Sequence, residues 1–245
     1  MRTIAIVQAR LGSSRLPGKV LADLAGDTML ARVVMRLRAA RTIDDIVIAT
    51  TTNSTDDALV REAARLGVGV HRGSEQDVLD RYLGAARVWH AGAVVRVTSD
   101  CPLLDPAVVD DVVRALRTST CDYASNTHTR TFPRGLDAEA MYLETLERIA
   151  RHATSAAAHE HVTSYLMEQP GRFSIRQVVA EDDDSDLRWT VDTSEDLALV
   201  RALYDELDLG RTIAPYLDVV DVVRARPQLA EMNAHVAQKA WQHVA

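Results

Sequence analysis

The sequence predicts an α/β protein with a mostly parallel central sheet flanked by helices. Three observations predict it. Short β-branched apolar runs recur at residues 4–7, 43–49 and 93–99. Stretches with apolar residues at helical spacing separate them, and glycine or polar breaks mark the junctions. Alternation of this kind winds a parallel sheet through crossover helices.

The first run, Ile4-Ala5-Ile6-Val7, delivers the chain into Gln8-Ala9-Arg10-Leu11-Gly12-Ser13-Ser14-Arg15-Leu16-Pro17-Gly18-Lys19. Glycine permits close backbone approach, hydroxyls and free amides donate hydrogen bonds, and fixed cations neutralise anionic oxygens. The loop reads as a polyphosphate cradle; its plain alternative is a basic strand-to-helix connection. It is not a Walker A loop, which has four residues between its glycines and a hydroxyl after the lysine. Here five residues separate Gly12 from Gly18, and Val20 follows Lys19.

Residues 28–40 place Met29, Leu30, Val33, Val34 and Leu37 on one helical face, with Asp27 or Thr28 as N-cap. A strand at 43–49 leads to Thr50-Thr51-Thr52-Asn53, then a helix at 56–66 that Gly67 stops. A short strand follows at 68–70. Within Arg72-Gly73-Ser74 through Asp80-Arg81-Tyr82, Ser74 is expected to cap a helix with Asp77 at its third position. Asp77 and Arg81 then stand one turn apart, near the sheet edge where open α/β folds bind ligands. The strand at 93–99 runs into Asp100-Cys101-Pro102. Pro102 ends it, and Asp100 faces the same crevice as the first loop. Arg96, a cation inside that strand, needs a carboxylate partner or a place in the crevice.

After a helix at 110–117 the winding stops. Residues 121–126 and 131–142 read as irregular or antiparallel strands, with Pro133-Arg134-Gly135 as a turn. A helix at 153–167 contains Glu160-His161, a strand at 173–179 precedes an acidic loop, and Leu187-Arg188-Trp189-Thr190-Val191-Asp192 reads as a strand ending in a second aspartate. A helix begins at Thr193-Ser194-Glu195-Asp196, and two more helical patterns occupy 215–245.

The chain has 245 residues, of which 47% are hydrophobic and 26% charged, as in a soluble globular protein. Its net charge of -7 argues against a broad nucleic-acid footprint, so the loop cations form a local site for a small anion. Cys101 and Cys121 form no Cys-x-x-Cys and are expected to be reduced thiols. No apolar run has the length of a membrane span, and the N-terminus has no signal-peptide pattern. A cytoplasmic protein without membrane or nucleic-acid partners is the expectation.

Four stretches together resemble the cytidylyltransferases that activate acidic sugars, the acylneuraminate and keto-deoxy-octulosonate enzymes. They are Gln8 through Lys19, Arg72 through Arg81, Arg96 through Pro102, and Trp189-Thr190-Val191-Asp192 through Leu197. Phe132-Pro133-Arg134-Gly135-Leu136-Asp137 and Glu160-His161-Val162-Thr163 resemble the spore-coat polysaccharide branch in particular. The resemblance implies a Rossmann-like nucleotide-diphosphosugar transferase fold with an inserted irregular or antiparallel subregion. It implies one nucleotidyltransferase domain: a nucleotide-binding part (1–118), an acceptor and dimerisation subregion (119–180), and a return strand with C-terminal helices (181–245). The implied reaction moves CMP from CTP to a sugar-like acceptor with release of pyrophosphate, in a homodimer.

By that resemblance Gln8, Ala9, Arg10, Gly12, Ser13, Arg15 and Lys19 would hold the triphosphate, and Ser74, Asp77 and Arg81 would position the nucleotide. Asp100 and Asp192 match positions where relatives bind Mg2+, and with Arg15 and Lys19 they would carry catalysis. Attack at the α-phosphorus builds charge on phosphate oxygens, so cations and Mg2+ suit the chemistry. Arg96, Arg134 and His161 are candidates to contact the acceptor; His161 would be a base, an acceptor contact or a structural residue. Arg130, Arg134 and His128 are candidates for a sugar carboxylate. Two other classes compete. A glycosyltransferase of related fold commonly has Asp-x-Asp at the central strand, where Thr98-Ser99-Asp100 offers one aspartate and Asp182-Asp183-Asp184 reads as a solvated loop. A non-catalytic nucleotide-binding module would not need Asp100 and Asp192 together with Lys19.

Overall fold

In β1 (Thr3–Gln8), Ile4 and Ile6 pack into one apolar layer while Ala5 and Val7 pack into another, so the strand is buried on both faces. Such burial is the mark of a strand covered by helices on either side. The structure, a computed structural model, describes residues 1–238.

From β1 the chain passes through the cradle loop to β2 (Asp23–Leu24) and β3 (Asp27–Thr28), a short hairpin, and then α1 (Met29–Ala39). Thr28 Oγ1 accepts from the Ala31 amide at 3.0 Å, the expected N-cap. β4 (Asp45–Thr51), α2 (Asp57–Leu66), β5 (Gly69–Gly73), α3 (Val78–Val88), β6 (Ala93–Thr98) and α4 (Pro106–Thr118) follow. Next come β7 (Tyr123–Ser125), β8 (Glu139–Tyr142), α5 (Leu143–His152), α6 (Ala156–His161), α7 (Ser164–Glu168) and β9 (Ile175–Gln177). The last elements are α8 (Ser194–Glu206), α9 (Tyr216–Ala225) and α10 (Pro227–Glu231). These two final helices match the expected patterns after residue 215; residues 239–245 lie outside the described residues.

The main sheet has seven strands in the order β5-β4-β1-β6-β8-β7-β9. β5, β4, β1 and β6 are mutually parallel, β8 runs antiparallel to β6 and β7, and β9 runs parallel to β7. The winding thus reverses direction between β1 and β6, and the crevice above such a reversal is where open α/β sheets take ligands. The fold is the α/β, mostly parallel architecture that the alternating pattern predicts. A third apolar cluster, built on Leu24, Phe132, Trp189, Leu203 and Val219, carries the C-terminal helices.

Three local expectations are corrected. Ser74 does not cap a helix: its Oγ accepts from the Gln76 and Asp77 amides in a turn, and Asp77 is the N-cap of α3, accepting from the Asp80 amide at 2.8 Å. Residues 153–167 are not one helix, because Val162 adopts φ 58, a backbone state costly for a β-branched residue, and splits the stretch into α6 and α7. Residues 187–192 are extended but form no sheet strand. Trp189 donates to Arg134 O and Val191 donates to Asp100 O at 2.8 Å, while Leu187, Trp189 and Val191 fill the third cluster.

Gly135 makes that contact possible. It has φ 107, and a Cβ there would stand 2.7 Å from the backbone of Trp189 and Thr190. Gly135→Ala is expected to destabilise the fold by about 3 kcal/mol and to lower Tm by roughly 5–10 °C in thermal unfolding. An unchanged Tm would show that the 187–192 segment does not need this close approach.

Candidate active site

β1 and β6 end side by side, with Gln8 opposite Thr98 in register. The cradle loop leaves β1 at this point. Its course is fixed internally by Ser13 N–H to Leu11 O at 2.9 Å and Gly18 N–H to Leu11 O at 3.0 Å. From outside, the buried Asp56 carboxylate accepts the Leu11 amide at 2.8 Å and the Thr51 hydroxyl. Gly18 turns with φ 73 and hands the chain to Lys19, whose side chain is 9% exposed and so cannot rest without partners.

Lys19 finds three. Its Nζ donates to Asp100 Oδ2 at 3.0 Å, Asp192 Oδ1 at 2.9 Å and Val191 O at 2.7 Å. Thr98 Oγ1 donates to Asp100 Oδ1 at 2.6 Å, which fixes the carboxylate at the strand end. Asp192 also meets Arg15 Nη2 at 2.8 Å and Arg188 Nη2 at 2.9 Å. Behind it, the fully buried Asp196 accepts from the Asp192 and Thr193 amides at 2.9 and 3.0 Å, from Arg188, and from Asn233 Nδ2 at 2.8 Å. Asp196 and Thr193 close the capping box of α8. The second aspartate is therefore held by a helix N-terminus and a buried ion pair.

The electrostatics follow from the packing. Burial alone would lower the Lys19 pKa, but the charges of Asp100 and Asp192 outweigh it and raise the ammonium above its ordinary range. Burial alone would raise Asp192, but Lys19, Arg15 and Arg188 hold its carboxyl below the usual carboxylate range. Both groups are thus charged at neutral pH.

Gln8, Arg10, Ser13, Arg15, Lys19, Asp100 and Asp192 line a single cavity of about 200 Å³ with Ser14, Val20, Thr98 and Ser99. Arg10 reaches across it to Glu75 at 3.4 Å and Glu160 at 3.7 Å. The other candidates lie elsewhere. Ala9 is buried and its amide bonds to Ala49 O, while Gly12 is exposed on the loop. Ser74 and Asp77 form the turn into α3, where Asp77 Oδ2 also meets His159 Nδ1 at 2.8 Å. Arg81 is fully buried beneath that turn and donates to Ser74 O. Arg96 pairs with Glu139 and, with His161, lines a second cavity beside β6. Arg134 faces a third, with Trp189 and Arg188.

Sequence reasoning missed Asp56, Thr98, Arg188 and Asp196 as parts of this site. Asp56 reads as an ordinary helix-start acid, and its contact with Leu11 spans 45 residues. Arg188 offered one signal: it stands four residues before Asp192 and eight before Asp196.

Two carboxylates converging on one ammonium form a pair able to chelate a single hard cation. Among the described residues no group of three or more His, Cys, Asp or Glu side chains gathers as a metal cluster. A cation held by Asp100 and Asp192 would therefore draw its remaining oxygens from phosphate and water, as Mg2+ commonly does.

Comparison with known proteins bears on this arrangement. A family model described as cytidylyltransferase matches residues 4–207. An uncharacterized protein of Methanocaldococcus jannaschii is 34% identical over 246 residues, covering 100% of this chain and 99% of that protein. The spore coat polysaccharide biosynthesis protein SpsF of Bacillus subtilis is 34% identical over 208 residues, covering 82% of this chain and 85% of that protein. Among solved structures, a cytidylyltransferase from Leptospira borgpetersenii serovar Hardjo-bovis superposes with a TM-score of 0.89 at 30% identity, covering 98% of this chain and 99% of that one.

Proposed function

The chain belongs to the cytidylyltransferase family, and from that premise we propose that it transfers CMP from CTP to an oxygen of a sugar or sugar-like acceptor. Pyrophosphate is the second product, and the setting is synthesis of polysaccharide or glycoconjugate precursors. One observation carries the reading: Lys19 Nζ lies between Asp100 and Asp192, in a cavity that also holds Arg10, Ser13 and Arg15.

In this reaction the acceptor oxygen bonds to the α-phosphorus and the bond from that phosphorus to the β-phosphate oxygen breaks. The electron pair leaves with pyrophosphate and the hydroxyl proton passes to water. Charge grows on the departing group, so donors aimed there lower the barrier. Arg10 and Arg15 are arms for the phosphate oxygens, and the Ser13 hydroxyl is a neutral donor beside them. Lys19 is held in place by its two carboxylates before any nucleotide arrives, which removes the cost of ordering it during the reaction. Asp100 and Asp192 fit Mg2+; when bound, that ion supplies neutralisation of phosphate charge.

Assay of pyrophosphate release with CTP, UTP, GTP and ATP against aldoses, polyols, acidic sugars and phosphorylated acceptors tests the reading. CTP-specific, Mg2+-dependent release is the expected result. Consumption of a nucleotide sugar without pyrophosphate would favour glycosyl transfer instead. Lys19→Ala is expected to raise the Kd for CTP about 10- to 100-fold, through loss of the buried positive charge beside the phosphates. Unchanged affinity in calorimetry would remove Lys19 from the phosphate site.

The pH dependence of stability has a definite sign. Asp192 titrates below its ordinary 3.8, so its contribution is present above that value and lost as pH falls through the folded-state pKa. Lys19 titrates above its ordinary 10.5, so its contribution is present below that value and lost as pH rises through the folded-state pKa. Tm should be flat across the neutral range. In Lys19→Ala, acid loss should begin at higher pH, because Asp192 loses the cation that does most to lower its pKa; coincident acid limbs in the two proteins would contradict this.

A further inference from the structure

The second cavity, about 320 Å³, is lined by Arg96, Tyr123, His128, His161, Ser164 and Met167, among others, so that His128, a candidate for a sugar carboxylate, stands at its wall. Arg96 Nε, His161 Nε2 and Ser164 Oγ are buried there without a hydrogen-bond partner among the described residues. Buried polar atoms left unpaired are rare and cost roughly 1–3 kcal/mol each. Three at one cavity point to a ligand that supplies several hydrogen bonds.

The cavity adjoins the nucleotide cradle. Arg96 and Thr98 share a face of β6, about 7 Å apart along the strand, and Thr98 holds Asp100. Glu160, the residue before His161, meets Arg10 of the cradle loop at 3.7 Å. A molecule here would stand next to the reacting phosphate.

Charge then narrows its chemistry. The Arg96 guanidinium is already paired with Glu139, whose other oxygen accepts from Tyr123 Oη at 2.7 Å. Arg130 is engaged by both oxygens of Asp137 at 2.7 and 2.9 Å, and Arg134 faces the third cavity. Burial and the nearby Arg96 lower the His161 pKa, so its imidazole is neutral at physiological pH. A carboxylate entering this recess would sit beside Glu139, whose charge already offsets that of Arg96, at a desolvation cost that neutral hydroxyls avoid.

We propose that this cavity seats the acceptor and selects a neutral polyhydroxylated molecule, an aldose or polyol, over a carboxylated sugar. The proposal rests on the cytidylyl-transfer reading. It predicts that the chain's acceptor is not of the keto-acid kind.

Saturation-transfer NMR on the full chain with CTP, using ribitol, xylitol and glucose against ribonate, gluconate and glucuronate, tests it. The neutral probes should bind and the acids should not. Ser164→Ala, a small change at the wall, should weaken the neutral probes about tenfold and leave CTP affinity unchanged. Glu139→Gln keeps the size of the side chain, frees the Arg96 charge, and should shift preference toward the acids by at least about tenfold. Preference of the unmodified chain for acids overturns the class, and so does binding of neither probe set. Neutral-probe affinities untouched by Ser164→Ala overturn the seat. Failure of the transfer reading itself is separate: CTP would yield no pyrophosphate with any probe, whichever ones bind.

Discussion

Asp100→Asn is expected to lower Mg2+-dependent pyrophosphate release from CTP by about 10²–10³-fold in kcat, the usual loss when one aligned charge-stabilising group is removed. Among the described residues Asp100 and Asp192 are the two carboxylates lining the cavity of about 200 Å³, so the charge of Asp100 has no substitute there. Asparagine keeps an oxygen to accept from Lys19 and an amide to face Thr98, so the surrounding bonds survive in altered form. The side chain is also 23% exposed and lies outside the apolar clusters, so Tm should stay within a few degrees of the unsubstituted protein. Steady-state assay with a melting curve on the same sample separates the two effects. Activity within threefold would remove Asp100 from the reaction, and a large fall in Tm would reassign the loss to folding.

Asp196→Ala should be the most destabilising of the site substitutions. Its carboxylate is fully buried and serves two backbone amides, Arg188 and Asn233. Removing it leaves Arg188, itself 9% exposed, with a single carboxylate partner and takes away the Asp196 half of the α8 capping box. Breaking a buried ion pair costs about 3–5 kcal/mol and losing half of a capping box up to about 1 kcal/mol more. For a chain of this size the expected fall in Tm is roughly 10 °C or more. Asp196→Asn, which retains an acceptor, should fall less. Thermal unfolding decides it: a drop under 2 °C in Asp196→Ala would mean that Arg188 and the α8 N-terminus find other partners.

The half of the site made by local sequence was readable in advance. Gln8 to Lys19 follows a strand, and Asp100 ends one; period-2 apolar patterning and a proline stop are enough to place them. Asp192 reads the same way, as the end of a strand, but 187–192 has the pattern of a strand without the pairing. Its alternating apolar side chains are satisfied by the third cluster, and its backbone by residues 134 and 100, neither of which a local pattern can announce. The Ser74 error has a similar cause. Ser74 and Asp77 both carry cap chemistry three residues apart, and only the backbone angles entering α3 decide which one serves. The break at Val162 opposes local helical preference outright, so it is imposed by packing of α6 and α7 on the rest of the chain. Asp56, Arg188 and Asp196 act through partners far away in sequence or through burial, which a single chain of letters does not encode by spacing.

The cradle's cations differ in how firmly they are held. Lys19 is clamped and almost out of solvent, whereas Arg10, 38% exposed, touches Glu75 and Glu160 only at 3.4 and 3.7 Å. Dissolved salt screens exposed charges and leaves buried ones nearly untouched. On the proposed reading, Arg10 is the arm that draws a triphosphate in from a distance, with a strength set by ionic strength. On the same reading Lys19 is the post that keeps it, with far less dependence on salt. Capture and retention of the nucleotide would then be divided between two residues nine positions apart on one loop.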